Sequence, residues 1–143
     1  MNQLSIVALL LLGCSASAQD NARLLVAIGT VETGMQRKVR GDGLKAYGAY
    51  QQHAPSWAEG NARLQAEGRP TYPLARWRDP TAQDMVGAAF LRVLKDRLRA
   101  QGILSPSPEV IALCWNRGLT GAAALNFRPN DYARRVGNID RAL

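Results

Sequence analysis

A glycine-rich, aromatic segment interrupts an otherwise helical sequence pattern, and this interruption constrains the fold more than any other feature. Residues 41–51 read Gly-Asp-Gly-Leu-Lys-Ala-Tyr-Gly-Ala-Tyr-Gln. Glycine adopts positive φ angles without steric cost, so Gly41, Gly43 and Gly48 predict sharp turns that bring the backbone close to a ligand. We expect an irregular segment here, with short strands around residues 47–51.

Helix-start and helix-stop signals divide the rest of the chain. The first predicted helix has apolar residues at helical spacing and is stopped by Gly34, whereas Asp79 followed by proline caps the third helix. The predicted helices cover about residues 21–32, 55–68, 80–100, 108–116 and 131–136. Trp57 and Trp115 are expected in the core. The pattern therefore predicts a mainly α, single-domain fold with one irregular or short β segment.

The N-terminus resembles an export signal. Residues 6–12 form an apolar run too short to span a bilayer, and Ala16-Ser17-Ala18 fits a small-x-small cleavage site. We therefore expect a signal peptide over residues 1–18 and a mature domain over residues 19–143, secreted or periplasmic, with no transmembrane segment. Leu-Leu-Gly-Cys ending at Cys14 also resembles a lipobox, which leaves a lipid anchor at Cys14 as an alternative.

Composition limits the classes of function. The chain has 143 residues, 47% of them hydrophobic, and a formal net charge of +7, which suits one basic domain with a real core. A basic exported protein can meet an anionic cell-wall polymer, a membrane surface or nucleic acid. The cations are scattered, and no basic run interleaved with aromatics occurs, so nucleic acid is the least favoured partner. His53 and Cys114 provide too few ligands for zinc in the mature chain, and we expect no metal or cofactor.

Glu32 is the candidate for acid chemistry. It follows Ile28 and Val31 in the first helix and precedes the glycine-rich segment. Cleavage of a glycosidic bond needs a proton donor, and a carboxyl group stays protonated near neutral pH only where its surroundings raise its pKa. Tyr47 and Tyr50 offer flat faces for sugar rings. These residues together predict an acid in a sugar-binding cleft.

At this point the sequence resembles the lysozyme-like superfamily, which includes goose-type lysozymes and lytic transglycosylases. Glu-Thr-Gly at Glu32, Gly-Asp-Gly at Gly41 and the run to Gln51 are similar to its E-[ST]-G and G-D-G-G-x-A-x-G-x-Y-Q-I motifs. Trp115-Asn116-Arg117-Gly118 resembles its W-N-x-G motif, and residues 132–136 resemble its closing Y-x-x-[KR]-V. The resemblance covers about residues 22–138 and implies an α+β lysozyme-like domain with a cleft.

The resemblance also implies roles for individual residues. Glu32 falls on the general acid, and Asp42 on a carboxylate that positions water or shapes the turn. The substrate-binding positions fall on Gly48, Tyr50, Gln51, Asn116 and Tyr132. Four positions depart from the pattern: Leu44 replaces a glycine, Gln52 replaces an isoleucine, His53 replaces a carboxylate, and Arg117 brings a cation next to Asn116.

The expected function is cleavage of the β-1,4 bond between N-acetylmuramic acid and N-acetylglucosamine in peptidoglycan. The enzyme would be a lytic transglycosylase, in which the muramyl 6-hydroxyl attacks, or a muramidase, in which Asp42 activates water. We expect a monomer that binds glycan strands. The alternative is a catalytically inactive peptidoglycan-binding module on the same fold, marked by the departures at Gln52 and His53.

Overall fold

The computed structural model describes the backbone of residues 3–143 and the side chains from residue 16 onward, and it shows a mainly helical chain with a small three-stranded sheet. The helices are α1 (Gln3–Thr33), α2 (Ala54–Ala66), α3 (Pro80–Ala100), α4 (Pro108–Ala124) and α5 (Asp131–Ala142), and the strands are β1 (Arg40–Gly41), β2 (Ala46–Tyr47) and β3 (Gln52–His53). The mainly α class with a short β segment, predicted from the sequence, is confirmed.

Side-chain caps begin three of the helices, and the predicted cap Asp79 is one of them. The Asp79 carboxylate accepts a hydrogen bond from the backbone N–H of Thr81 at 2.9 Å, ahead of proline at the first helical position of α3. Ser107 and Asn130 accept equivalent bonds from backbone N–H groups at 3.2 and 2.9 Å and cap α4 and α5. These local signals fix the directions in which the helices leave their loops.

One helix boundary differs from that expected. Helix α1 begins at Gln3 rather than near Asn21, because the apolar segment before Asn21 continues the same helix. The predicted stop at Gly118 is a break within α4: the backbone there is non-helical, with φ 70° and ψ 166°, and a second helical segment continues as far as Ala124. The first two residues and the side chain of Cys14 lie outside the described residues, so signal cleavage and lipidation stay predictions.

The sheet connects α1 to α2 through two tight turns. Strand β2 pairs antiparallel with β1 and with β3, and Tyr47 lies opposite Arg40 on one side and Gln52 on the other. Each strand has two residues. Residues 48–51, expected within a strand, instead form the second turn, because Gly48 and Gln51 both have positive φ angles.

The core has two parts that share helix α3. The larger part joins α1, α4, α5 and the second half of α3, and Ile28, Leu91 and Leu113 are fully buried in it. The smaller part packs α2 and Trp77 against the first half of α3, around Trp57. The sheet lies beside the end of α1, and a cleft forms between the sheet, the end of α1 and the middle of α4.

The described helices include none that combines the length and apolar character needed to cross a bilayer. Cys114 is buried in the larger core, with its thiol free. Burial raises the pKa of this thiol to about 11, which keeps it protonated and chemically inert at neutral pH.

Candidate active site

Glu32 lies in the last turn of α1, beside the glycine-rich turn. The hydroxyl of the next residue, Thr33, donates a hydrogen bond to the Ala49 carbonyl at 2.9 Å and ties the helix end to that turn. Burial raises the pKa of the Glu32 carboxyl above its usual value. The hydrogen bond from the Tyr132 hydroxyl and the electrostatic interaction with His53 act in the opposite direction but do not reverse this increase. The protein therefore favours the protonated acid more strongly than water does.

Tyr132 holds the Glu32 carboxyl in place. Its hydroxyl donates a hydrogen bond to Glu32 Oε1 at 2.8 Å across 100 residues of sequence. The Asn130 cap positions Tyr132 in the first turn of α5. Burial and the neighbouring carboxylate raise the pKa of Tyr132 well above its usual value, so the phenol remains a donor throughout the accessible pH range.

A cleft of about 350 Å³ opens beside Glu32. One side is formed by the end of α1 and the middle of α4, and the other by the sheet and its turns. The lining residues are Glu32, Asp42, Ala46, Gln51, His53, Trp115 and Asn116. The structure thus brings four of the predicted site residues, Glu32, Asp42, Gln51 and Asn116, to one cavity, and hydrogen-bonds a fifth, Tyr132, to the acid.

Asp42 and His53 form a pair on the sheet side of the cleft. Asp42 has a φ of 49° in the turn between β1 and β2, and its Oδ2 lies 3.2 Å from His53 Nε2. Both side chains are exposed, Asp42 by 66% and His53 by 47%. The single histidine of the chain therefore contacts Asp42, the second carboxylate of the cleft. This contact was not predicted from the sequence.

Gln51 and Asn116 lie on facing sides of the cleft, and each is held by one hydrogen bond. Gln51 Nε2 donates to the Gly48 carbonyl at 2.9 Å. Asn116 Oδ1 accepts from Asn130 Nδ2 at 3.3 Å, so the cap of α5 also orients this amide. The expectation that Trp115 belongs to the core is wrong in part: it is half-buried, it lines the cleft, and its Nε1 donates to the Tyr50 carbonyl at 3.1 Å.

Tyr50 and Gly48 do not reach the cleft. Tyr50 is 2% exposed, and its hydroxyl donates to Asp84 Oδ1 at 2.5 Å, inside the fold. A Cβ added to Gly48 would lie 2.5 Å from the Gln83 side chain, so this glycine permits close packing against α3. The geometry therefore gives no support to the expected substrate contacts of these two residues. Both residues instead pack the turn against α3.

Gln83 and Asp84 at the start of α3 support the site, and the sequence analysis missed them. Buried Gln83 accepts from the Ala49 N–H at 3.0 Å and donates to the carbonyls of Arg37 and Trp77 at 2.8 and 2.6 Å. Asp84 receives hydrogen bonds from Tyr50 and Arg37, each at 2.5 Å. A signal for Gln83 was present, because it lies on the apolar face of a helix, between Ala82 and Val86 in sequence, where a polar side chain needs partners.

Two of the other departures from the family pattern, Leu44 and Gln52, lie in different surroundings. Leu44, at the glycine position, keeps the glycine-like conformation with a φ of 69° and is exposed. Gln52, at the isoleucine position, is buried.

Among side chains from residue 16 onward, no three His, Cys, Asp or Glu residues come close enough to hold a metal ion.

Comparisons with known proteins add no relative. No protein-family model, no curated protein sequence and no solved structure matches this chain. The family assignment therefore stays a prediction. The geometry of the cleft and the sequence motifs are the observations that bear on function.

Proposed function

We propose that this protein is a peptidoglycan-cleaving glycosidase of lysozyme-like type, acting on the β-1,4 bond between N-acetylmuramic acid and N-acetylglucosamine, with Glu32 as general acid. One observation carries the proposal: a carboxyl group whose pKa is raised by burial lines an open, polar cleft. A buried acid that still has access to a groove is what protonation of a leaving oxygen requires.

The contacts of Glu32 suit proton donation. The Tyr132 hydroxyl donates a hydrogen bond to Oε1 of Glu32, and none of the described residues forms a hydrogen bond with Oε2 of Glu32. The proton on Oε2 can therefore pass to the glycosidic oxygen, while the phenol stabilises the carboxylate that remains. Asn116 and Gln51 supply amides beside the acid that can bind hydroxyl or acetamido groups of the sugars.

Two routes complete the reaction after the bond breaks. In the transglycosylase route, the Glu32 carboxylate removes a proton from the muramyl 6-hydroxyl, which attacks the anomeric carbon and closes a 1,6-anhydro ring. In the hydrolytic route, Asp42 activates a water molecule. Because Asp42 is exposed and already bonded to His53, the geometry favours the first route.

The charge of the chain agrees with this substrate. The muramyl peptide stems of peptidoglycan carry carboxylates, and a net charge of +7 attracts such a polymer over the Debye length. We propose secretion to the cell envelope as the setting in which the two meet.

Digestion of purified sacculi tests the proposal. Wild type should release soluble muropeptides, whereas Glu32→Gln should lose about 10²–10⁴-fold in rate, the usual contribution of a general acid. Asp96→Asn, which neutralises an exposed carboxylate on α3, is the matched control and should digest like wild type. Mass spectrometry of the products separates anhydro ends from reducing ends. Full activity of Glu32→Gln would refute the assignment of the acid.

A non-catalytic binding module is the second candidate. The pairing of Asp42 with His53 favours it, because the cleft then offers no second carboxylate free of a partner among its lining residues. Wild-type protein that sediments with sacculi without releasing muropeptides would establish binding in place of cleavage.

A further inference from the structure

We propose that the face of the sheet turned away from the cleft binds a polyanion through two guanidinium groups, those of Arg40 and Arg78, which lie over aromatic rings. The inference goes beyond the proposed function, because a site on this face takes no part in the chemistry at Glu32. The ligand is a polymer that carries carboxylate or phosphate groups at intervals along its length.

The register of the sheet separates this face from the cleft. Ala46 lies opposite Gly41 and His53, and both Ala46 and His53 line the cleft. Tyr47, the next residue, lies opposite Arg40. Successive side chains of a strand point to opposite faces of a sheet. Arg40 and Tyr47 therefore share the face that is turned away from the cleft.

Both guanidinium groups lie over one pair of aromatic rings. The Arg40 guanidinium carbon lies 4.0 Å from the centre of the Tyr47 ring and 5.5 Å from that of the Trp77 ring. The Arg78 guanidinium carbon lies 4.4 Å from the centre of the Trp77 ring. The two rings meet edge to face, with their centres 5.7 Å apart. We call Arg40, Tyr47, Trp77 and Arg78 the arginine–aromatic cluster.

The rings of the cluster are fixed by the smaller core, so they hold the guanidinium groups in place. Trp77 is buried in that core, and Tyr47 packs against it. An arginine loses side-chain freedom when it binds an anion, and a rigid ring that already holds the guanidinium reduces this loss. Contact with a ring consumes none of the five N–H donors of a guanidinium. Arg40 donates one of its N–H groups to the Leu44 carbonyl, and the others remain for an oxyanion.

No carboxylate among the side chains from residue 16 onward neutralises the cluster. The three acidic residues nearest to it in sequence already have cationic partners, in the pairs Asp42–His53, Asp79–Arg76 and Asp84–Arg37. Lys38 and Lys45, which are exposed beside β1 and β2, form no ion pair with these side chains either. Four cations therefore give this side of the sheet a positive potential that attracts anions.

The surroundings of the cluster favour a polymer over a lipid surface. Adsorption to a bilayer needs apolar side chains that enter the interface together with the cations. The turn beside the cluster exposes a single large apolar residue, Leu44, and Trp77 is buried. Several cations on one surface instead suit repeated anionic groups, because linked contacts act together. Carboxylates of peptide stems and phosphodiesters of other wall polymers both match the planar donor array of arginine.

Binding measurements with three probes test the site. Poly-L-glutamate presents carboxylates, inorganic polyphosphate presents phosphates, and vesicles of phosphatidylglycerol and phosphatidylcholine present an anionic lipid surface. Wild type should bind at least one of the two polymers, and more weakly as the salt concentration rises. The polymer with the lower dissociation constant identifies the anionic group. Binding to vesicles but to neither polymer would overturn the proposal.

Arg78→Gln is the diagnostic variant, because Arg78 is exposed and its replacement leaves the core intact. It should bind the preferred polymer about tenfold more weakly, since charge-assisted hydrogen bonds are lost. Arg99→Gln removes the same charge from an exposed position on α3 and should bind like wild type. Equal losses in the two variants would overturn the proposal.

Lysine substitutions distinguish the cluster from diffuse charge. Arg78→Lys and the double variant Arg40→Lys, Arg78→Lys keep the net charge but lose the planar donor array. Both should bind the preferred polymer more weakly than wild type does, and the double variant more weakly than the single one. Urea unfolding checks that the half-buried Arg40 position tolerates the change. Wild-type affinity in Arg78→Lys would assign the binding to net charge alone and overturn the site.

The two proposals fail separately. Sacculus digestion by a wild-type protein that binds neither polymer would remove the polyanion site and leave the enzyme. Polymer binding that depends on Arg78, in a protein that releases no muropeptides, would keep the polyanion site and remove the catalytic proposal.

Discussion

Replacement of Gly48 by alanine should be one of the most destabilising single-methyl additions in the chain. Gly48 has a φ of +72°, where an L side chain costs about 1–2 kcal/mol. The added Cβ would also lie 2.5–2.7 Å from three atoms of the Gln83 carboxamide. Moving that carboxamide sacrifices up to three hydrogen bonds, at about 0.5–1.5 kcal/mol each. The expected loss is therefore about 3–6 kcal/mol, a large share of a typical unfolding free energy.

Gly68 provides the matched control. Its φ is +69°, and nothing lies within 4 Å of an added Cβ. Gly68→Ala should therefore lower the unfolding free energy only by the conformational cost, about 1–2 kcal/mol. Urea unfolding of both variants, followed by far-ultraviolet circular dichroism, measures the difference. A difference of about 2–4 kcal/mol would assign the excess to Gln83. Equal losses in the two variants would refute the argument that Gln83 supports the turn.

Three further predictions concern titratable groups. Because the pKa of Glu32 is raised in the fold, wild type should lose stability as the pH rises from about 4.5 through the folded pKa; Glu32→Gln should therefore be more stable than wild type at pH 7 and equal to it at pH 4, as thermal unfolding would show. Tyr132→Phe removes a hydrogen bond that lowers the pKa of Glu32, so the carboxyl titration seen by carbon NMR should move to higher pH, and a shift to lower pH would contradict the assigned contact. The Cys114 thiol, with its pKa raised to about 11, should resist iodoacetamide at pH 7.5 in the native protein and react once urea unfolds the chain; rapid native labelling would contradict its burial.

Short-range signals in the sequence were sufficient for much of the helical frame. The Asp79 cap with its following proline predicted a helix start that the structure confirms, and the helix expected from residue 131 also begins there. The position of Glu32 at a helix end before a glycine-rich turn was also foreseeable, because both features depend on neighbours in sequence. The strands were less predictable, since two-residue strands are too short to show an alternating pattern.

Contacts between distant segments account for what the sequence did not predict. An aromatic residue in a glycine-rich turn can face a cleft or the core. Tyr50 faces the core, where its hydroxyl donates a hydrogen bond to Asp84, 34 residues away in sequence. The burial of Gln83 depends on three carbonyl and amide partners that come together only after the turn packs on α3. The residues around Tyr50 in sequence do not identify Asp84 as its partner, and those around Gln83 show only that a polar side chain on an apolar helix face needs partners.

The bond between Glu32 and Tyr132 joins the beginning and the end of the folded domain. The same two helices are also joined by Arg23 and Asp140, whose side chains meet at 3.3 Å. Cleavage of the chain before α5 would leave the carboxyl but remove the phenol and much of the packing that shields it. The fold therefore makes the acid chemistry of Glu32 depend on a residue 100 positions away in sequence.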